Sequence, residues 1–274
     1  MAARSAILNV MTRAAEKAGK ALVRDFGEVE QLQVSRKGPA DFVSQADHKA
    51  EKIVRQELQK ARPEFGLLME EGGTVKGKDP SHRWIVDPLD GTTNFLHGLP
   101  HFAVTIALEK DGEIIAGVTY EPIRDEMYWA EKGKGAYLNS QRLRVSARRQ
   151  MADALIATGI PFKGRPGHEP YLLQLAAVME QVAGIRRFGS AALDLAYVAA
   201  GRFDGYFETD LNPWDVAAGV LLVSEAGGFV SEIGGGRNPQ SGSSILAANA
   251  HLHLPLATVL RGANRAKARA KAAD

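Results

Sequence analysis

The chain contains no cysteine, which removes disulfides, thiolate metal sites and cysteine nucleophiles together and accords with a cytoplasmic protein. Nor does it open on a long apolar run. The first segment, MAARSAILNVMTRAAEKAGKAL, is interrupted by charge every few residues, so it lacks a signal-peptide core and cannot span a bilayer. A soluble protein with no membrane partner is expected. There is no internal repeat and no low-complexity block, since the 28 glycines and 12 prolines punctuate periodic segments. Strong net charge is also missing, at +2 overall. Residues 261–274, RGANRAKARAKAAD, carry five bases and one acid, so the basic balance belongs to this tail and the remainder is slightly acidic. Such a tail is either a solvated end or a contact for nucleic acid or an acidic partner.

What is present is enough apolar residue, 45% of 274, to bury one large core or two closely packed ones, which excludes disorder. From Ser5 to Phe26 apolar residues (Ile7, Leu8, Met11, Ala15, Ala18, Leu22) recur at helical spacing, and Gly27 is placed to cap the helix. Ser44 stands in capping-box spacing to Asp47 before a second helix that continues through Ile53, Val54 and Leu58 to Pro63. From Phe102 to about residue 145 the pattern alternates with period two around Asp111-Gly112, predicting antiparallel strands. Beyond Met151 strand-like and helical segments alternate. The spacing predicts a layered α/β/α/β/α architecture with an N-terminal half (1–145, two helices on an antiparallel sheet), a C-terminal α/β half (146–262) and a disordered basic tail (263–274).

Chemistry concentrates in RWIVDPLDGTTNF, residues 83–95. Trp84-Ile85-Val86 reads as a buried strand, and Pro88 has no N–H to donate to a central sheet, so a turn is expected at Asp87. Asp87 and Asp90 flank it, and with the Leu89 carbonyl they offer oxygen-only ligands suited to a hard cation such as Mg²⁺. The plainer alternative is an Asx turn followed by an N-cap, which requires only one aspartate. Gly91-Thr92-Thr93-Asn94 allows close approach of a ligand to the backbone, and a helix starting there would present N–H groups to an anion; Thr92 could equally serve as that helix's cap. Glu70, after FGLLM, supplies another strand-end carboxylate or a solvated turn. Asn212-Pro213 sets up a helix start with Asp215 in the first turn, either as a ligand or as an ordinary N-terminal acid. None of the seven histidines assembles a site, because Pro100 separates His97 from His101 and His251 and His253 precede a terminal helix. Trp84 and Trp214 are expected to pack the walls behind the acids.

WIVDPLDGTTNF, the upstream Glu70 and the downstream PWDVAAG together resemble the inositol monophosphatase family, Mg²⁺-dependent and lithium-sensitive phosphatases with the layered α/β/α/β/α sandwich shared by fructose-1,6-bisphosphatases. GSAALDLAYVAAGRFDGYFE resembles the bacterial SuhB-type inositol-1-monophosphatases in particular. The resemblance runs from the first helix to about Arg261. It implies hydrolysis of inositol 1-phosphate and related small phosphate monoesters by direct attack of a metal-activated water. Glu70, Asp87 and the Leu89 carbonyl would hold one Mg²⁺, with Asp87 bridging to a second held by Asp90 and Asp215; the family also has a third, weaker ion near Glu70. Thr92, bonded to Asp47, and Glu70 would orient the water. The phosphate would meet the N–H groups of Gly91 and Thr92, and the polyol would lie toward Asp90, Gly189, Ser190, Ala191 and Glu208. Ser190 stands where animal members usually have Thr and doubles as an N-cap candidate.

A homodimer is implied by the same resemblance. Sister activities on fructose-1,6-bisphosphate, histidinol phosphate or a phosphoadenosine nucleotide would require a second anion pocket or a base slot, which no motif announces; Arg186 and Arg187 are candidate anion contacts or, equally, surface or interface residues. A different class of role, as a transcription antitermination accessory factor contacting protein or RNA, is motivated by the tail and by Arg142, Arg144, Arg148 and Arg149.

Overall fold

The structure is a computed structural model that describes residues 4–27, 34–36, 42–236, 238–241 and 243–271, with backbone alone for 34–36, 42–44 and 264–271. Helix α1 (Ala6–Phe26) starts at Ser5, whose hydroxyl accepts from the Leu8 N–H at 3.3 Å. Its residues Leu8, Met11, Ala15, Ala18 and Leu22 are fully buried. Gly27 caps it in the right-handed region (φ −68°), so the left-handed freedom expected of a glycine cap is not used. A short hairpin, β1 (Val34–Arg36) and β2 (Phe42–Ser44), leads into α2 (Gln45–Ala61), which buries Asp47, Ala50, Glu51, Val54 and Leu58 on one side. The Ser44 cap expected for α2 lies outside the described side chains.

The large sheet contains β3 (Phe65–Met69), β4 (Gly73–Val75), β5 (Asp79–Asp90), β6 (Ala103–Lys110), β7 (Glu113–Glu121), β8 (Glu126–Glu131), β9 (Gly135–Leu138) and β10 (Gln141–Arg142). Its order is β10-β9-β8-β7-β6-β5-β3-β4. The expectation of a wholly antiparallel sheet is corrected at one pair: β3 and β5 run parallel, with Met69 opposite Val86. Two reversals around the edge strand β4 return the chain to the other side of β3 in its original direction. The Asp111-Gly112 turn forms as the sequence suggests, with φ of 51° and 82°. Along β5 the pleat sends Trp84 and Val86 to one face and Ile85 to the other.

The strand also runs further than Pro88 led us to expect. β5 continues to Asp90, with Asp87 opposite Thr105 and Asp90 opposite Ala103 across a bulge. Pro88 sits inside that irregularity and beyond the last β3 pair, where no ladder N–H is required of it.

The second sheet, from β11 (Leu155–Thr158), β12 (Gly184–Arg186), β13 (Gly205–Thr209), β14 (Phe229–Ser231) and β15 (Ser244–Ala248), has the order β12-β11-β13-β15-β14. Its first three strands are parallel and the other pairings antiparallel. Between the sheets lie α5 (Ala191–Ala199) and α6 (Pro213–Glu225); outside the small sheet lie α4 (His168–Met179) and α7 (His253–Lys271). Short α3 (Thr92–Leu96) follows β5.

Five layers result, held together by three apolar cores. Leu8, Val54, Trp84 and Val104 fill the outer one, and Ile156, Phe207, Leu256 and Leu260 the opposite one. The middle cluster draws Ile85, Ala107 and Tyr128 from the large sheet onto Leu195, Leu222, Tyr206 and Ile245. The two halves thus share one apolar core. Gly117 is needed there because a Cβ would stand 3.0 Å from Ala218 Cα of α6. The basic tail, expected to be disordered, continues α7 through Lys271, and residues 272–274 lie outside the described residues. No described helix is long and apolar enough to cross a membrane.

Candidate active site

The acids singled out from sequence are delivered by element ends. Asp87 and Asp90 come from the bulged end of β5, Glu70 from the loop after the neighbouring parallel strand β3, Asp215 from the first turn of α6, and Asp47 from the first turn of α2. The Glu70 N–H donates to the Val86 carbonyl at 3.2 Å, placing its loop beside the end of β5. Asp87 is 2% exposed, and its Oδ1 accepts from the Leu89 N–H at 2.9 Å. The Asx turn offered as the plainer reading therefore forms, but around a buried carboxylate. Asp90 does not cap α3; Gly91 occupies that position at φ 96°, and Thr92 is the first helical residue. A Cβ at Gly91 would come within 3.0 Å of the His101 carbonyl.

Instead, Asp90 reaches across a hundred residues to the start of α5. Its Oδ2 accepts from Ser190 Oγ at 2.5 Å and from the Ala192 N–H at 2.8 Å. Ser190 Oγ also accepts from the Leu193 N–H, so the N-cap expected there is real and is part of the same constellation. Asp215 occupies the third helical position after Asn212 and Pro213, and its Oδ2 accepts from the Asn212 N–H at 2.6 Å, one half of a capping box. The Thr92 hydroxyl donates to the Leu89 carbonyl at 2.9 Å, whereas the resemblance paired it with Asp47.

Glu70, Asp90, Gly91, Thr92, Gly189, Ser190, Ala191, Glu208 and Asp215 line one cleft of about 280 Å³. Asp87, Leu89 and Asp47 are buried and outside its lining. Of the arginine pair, Arg187 enters the lining and Arg186 does not; no histidine does. Trp84 is fully buried and Trp214 packs on the middle core, as expected of wall residues.

The acids are held in unfavourable company. Burial raises Glu70 to about 8, with Asp47's charge adding to it. Burial and then Glu70, Asp90 and Asp215 push Asp87 well above the usual range, and burial and then Asp90 do the same to Asp215. Burial also takes Asp90 to about 6, against the donors from Ser190 and the α5 backbone. No basic side chain is among the leading influences on these four. A largely enclosed, all-oxygen, mutually repelling donor set, with Asp87 buried and Glu70, Asp90 and Asp215 half-buried, fits a hard divalent cation. Among the described residues no three Asp, Glu or His side chains are already drawn into a cation cage.

At the other end of the cleft Glu208 accepts from the Tyr206 hydroxyl at 2.5 Å, and burial raises it to about 7. It lies against Gly159, where a Cβ would fall 1.8 Å from the Glu208 carboxyl carbon. Gly159, Phe162 and Leu211 in the lining were not picked out from sequence. Asn94, 5% exposed, donates to the carbonyls of His101 (2.9 Å) and Phe188 (2.8 Å), tying α3 to the segment before Gly189. Asp194 was missed too. It is 1% exposed in an otherwise apolar helix, and burial followed by the charge of Glu208 pushes its carboxyl well up. A lone acid in the run SAALDLAYVAAG was the available signal.

The model of the inositol monophosphatase family matches residues 3–265. An inositol-1-monophosphatase of Rhizobium meliloti is 61% identical over 94% of this chain and 97% of its own length. The Nus factor SuhB of Escherichia coli is 45% identical over 89% and 91%. Among solved structures, the extragenic suppressor protein suhB of Bartonella henselae superposes with a TM-score of 0.91, at 60% identity, covering 93% of this chain and 98% of that one. Motif, fold and relatives agree: the chain belongs to the inositol monophosphatase family of phosphatases.

Proposed function

We propose that the cleft hydrolyses inositol 1-phosphate and related small phosphate monoesters with the aid of Mg²⁺. The observation that carries this is the convergence of Glu70, Asp90 and Asp215, from three separate sequence segments, on one cleft with Gly91, Thr92, Ser190 and Glu208. Glu70, Asp87, the Leu89 carbonyl, Asp90 and Asp215 would hold two ions, with a third near Glu70. Mg²⁺ in such a site supplies positive charge that acidifies water and offsets charge on a transferring phosphoryl group.

The chain's own contribution is placement. Glu70 accepts the proton of the attacking water, and Thr92, anchored on Leu89, orients that water together with Asp47. The Gly91 and Thr92 N–H groups meet the phosphate. Asp90, Ser190 and Glu208 face the polyol hydroxyls, with Tyr206 fixing the Glu208 carboxylate. Arg187 is the basic side chain in the lining, so sister substrates with a second anion belong in the assay panel.

The test is Mg²⁺-dependent phosphate release from a panel containing inositol 1-phosphate, fructose-1,6-bisphosphate, histidinol phosphate and a phosphoadenosine nucleotide. Preferential turnover of inositol 1-phosphate is expected. Failure to release phosphate from any of them would overturn the reading.

A second, compatible role rests on the relative named Nus factor SuhB and on Arg142, Arg144, Arg148 and Arg149, all exposed on one segment. We propose that this segment contacts transcription antitermination proteins or RNA, and that the protein acts in the cytoplasm as a homodimer. Pull-down with the arginines replaced by alanine, compared with the parent chain, tests the contact; equal retention would refute it.

A further inference from the structure

We propose that Glu51 is a positioning residue that holds Glu70 in place for cation binding. This rests on the reading of Glu70 as a ligand given above. β3 and β4 pair with Met69 opposite Gly73, leaving Glu70-Glu71-Gly72 as a three-residue hairpin loop. A loop of this kind exposes backbone N–H groups that its own strands do not use. Here two of them find the same partner twenty residues upstream: Glu51 Oε2 accepts from the Glu71 N–H at 2.9 Å and from the Gly72 N–H at 3.1 Å.

Glu51 is 8% exposed, and it lies one helical turn after Asp47 on the buried side of α2. The loop that carries Glu70 is therefore fastened at both sides, by its own N–H on Val86 and by the next two N–H groups on Glu51. A carboxylate accepting two backbone N–H bonds is stronger and more directional than a neutral acceptor would be. Gly72 completes the device, because a Cβ there would stand 2.8 Å from Glu51 Oε1 and 2.8 Å from Met69 Cε. The glycine is what lets the carboxylate come close enough to hold the loop. α2 thus serves the cleft twice, through Asp47 and, one turn on, through Glu51.

The test uses the intact protein, with calorimetric titration of Mg²⁺ beside phosphate release from inositol 1-phosphate. Glu51→Ala is expected to weaken Mg²⁺ binding by about 10- to 100-fold, the range seen when a ligand loses its supporting hydrogen bonds. At saturating Mg²⁺ it should lower kcat while KM stays within about twofold. Glu51→Gln, whose amide oxygen still accepts from both N–H groups, should bring both quantities back to within about threefold of the parent. Gly72→Ala, which displaces the carboxylate without removing it, should reproduce part of the loss and keeps the idea testable if Glu51→Ala fails to fold. A fall in thermal midpoint with unchanged Mg²⁺ affinity in these variants would make Glu51 a mere tie between elements and overturn the proposal. So would a Gln variant as damaged as the Ala variant. A parent protein that binds Mg²⁺ but hydrolyses nothing would sink the phosphatase reading and leave this one standing.

Discussion

Two of the places where the molecule encloses acidic groups treat them in opposite ways. Glu121 is completely buried, yet its Oε2 accepts from the Tyr197 hydroxyl at 2.8 Å and its Oε1 lies 3.0 Å from Arg124 Nε. Arg202 nearby pairs with Glu126 and stacks over Tyr197 at 4.8 Å. Around Asp87 there is no such provision, and the acids raise one another. The difference fits the proposed division of labour: an acid that serves the fold is paired with a base of the chain, whereas the proposed ligands have none among their leading influences. Burial is a poor guide to role, and the identity of the compensating group is a good one.

The contrast is broken most decisively at the cleft. Asp90→Asn and Asp215→Asn should each lower kcat/KM by more than about a hundredfold, on the order of 2.7 kcal/mol of transition-state stabilisation. Because each change also removes repulsion, the thermal midpoint in metal-free buffer should not fall; a concurrent loss of folding would show these acids to be structural after all.

Next in size is a pH effect at the other centre. His101, 3.9 Å from Glu121 and 16% exposed, is held down to about 4 by burial and then by the charge of Arg124. The folded form stays neutral while the unfolded chain takes up a proton below about 6.5. The contribution is therefore present above that pH and is lost as pH falls toward about 4. Burial shifts Glu121 upward, which acts in the opposite direction, so the comparison of parent with His101→Gln isolates the histidine. Chemical denaturation between pH 7 and 4 should give a flatter curve for the variant, and parallel curves would refute the assignment.

A smaller effect is expected from Gly159→Ala, which would force the Glu208 carboxyl out of its position. KM for the inositol ester should rise about tenfold, or roughly 1.4 kcal/mol, while a phenyl phosphate without hydroxyls is spared. Equal loss on both substrates would remove Glu208 from polyol recognition. The smallest change should come from Glu121→Gln, which keeps an acceptor for Tyr197 and loses only the pair with the largely exposed Arg124. We expect about 1 kcal/mol or less of stability in urea titration and unchanged turnover; a large loss of turnover would dissolve the contrast between the centres.

Much of this was legible because it is written locally. Helical spacing located α1, α2, α5 and α6, and the Asn212-Pro213 start fixed where Asp215 would point. The surplus aspartate of the Asp87–Asp90 turn flagged the cleft. Less could be read where one residue serves two purposes or reaches across the chain. Asp87 makes an Asx turn and stays a ligand candidate, so the two readings of the motif were never exclusive. Ser190 caps α5 and donates to Asp90, a pairing at a separation of one hundred that no local period encodes. Pro88 argued for a strand end, and only the bulge opposite β6 shows why it is tolerated inside β5. Gly159 and Glu51 matter through what packs against them, and neither announces it in its neighbours along the sequence.

The core shared by both sheets has a consequence for how the protein comes into being. Glu70, Asp87 and Asp90 emerge from the ribosome more than a hundred residues before Asp215, and the face of the large sheet that α5 and α6 cover stays bare in the interval. At about 5–20 residues per second that interval lasts several seconds or more. Through it the nascent chain carries an exposed apolar surface and three acids without their fourth partner. On the reading proposed above, the site is complete only once α6 has brought Asp215 to the end of β5.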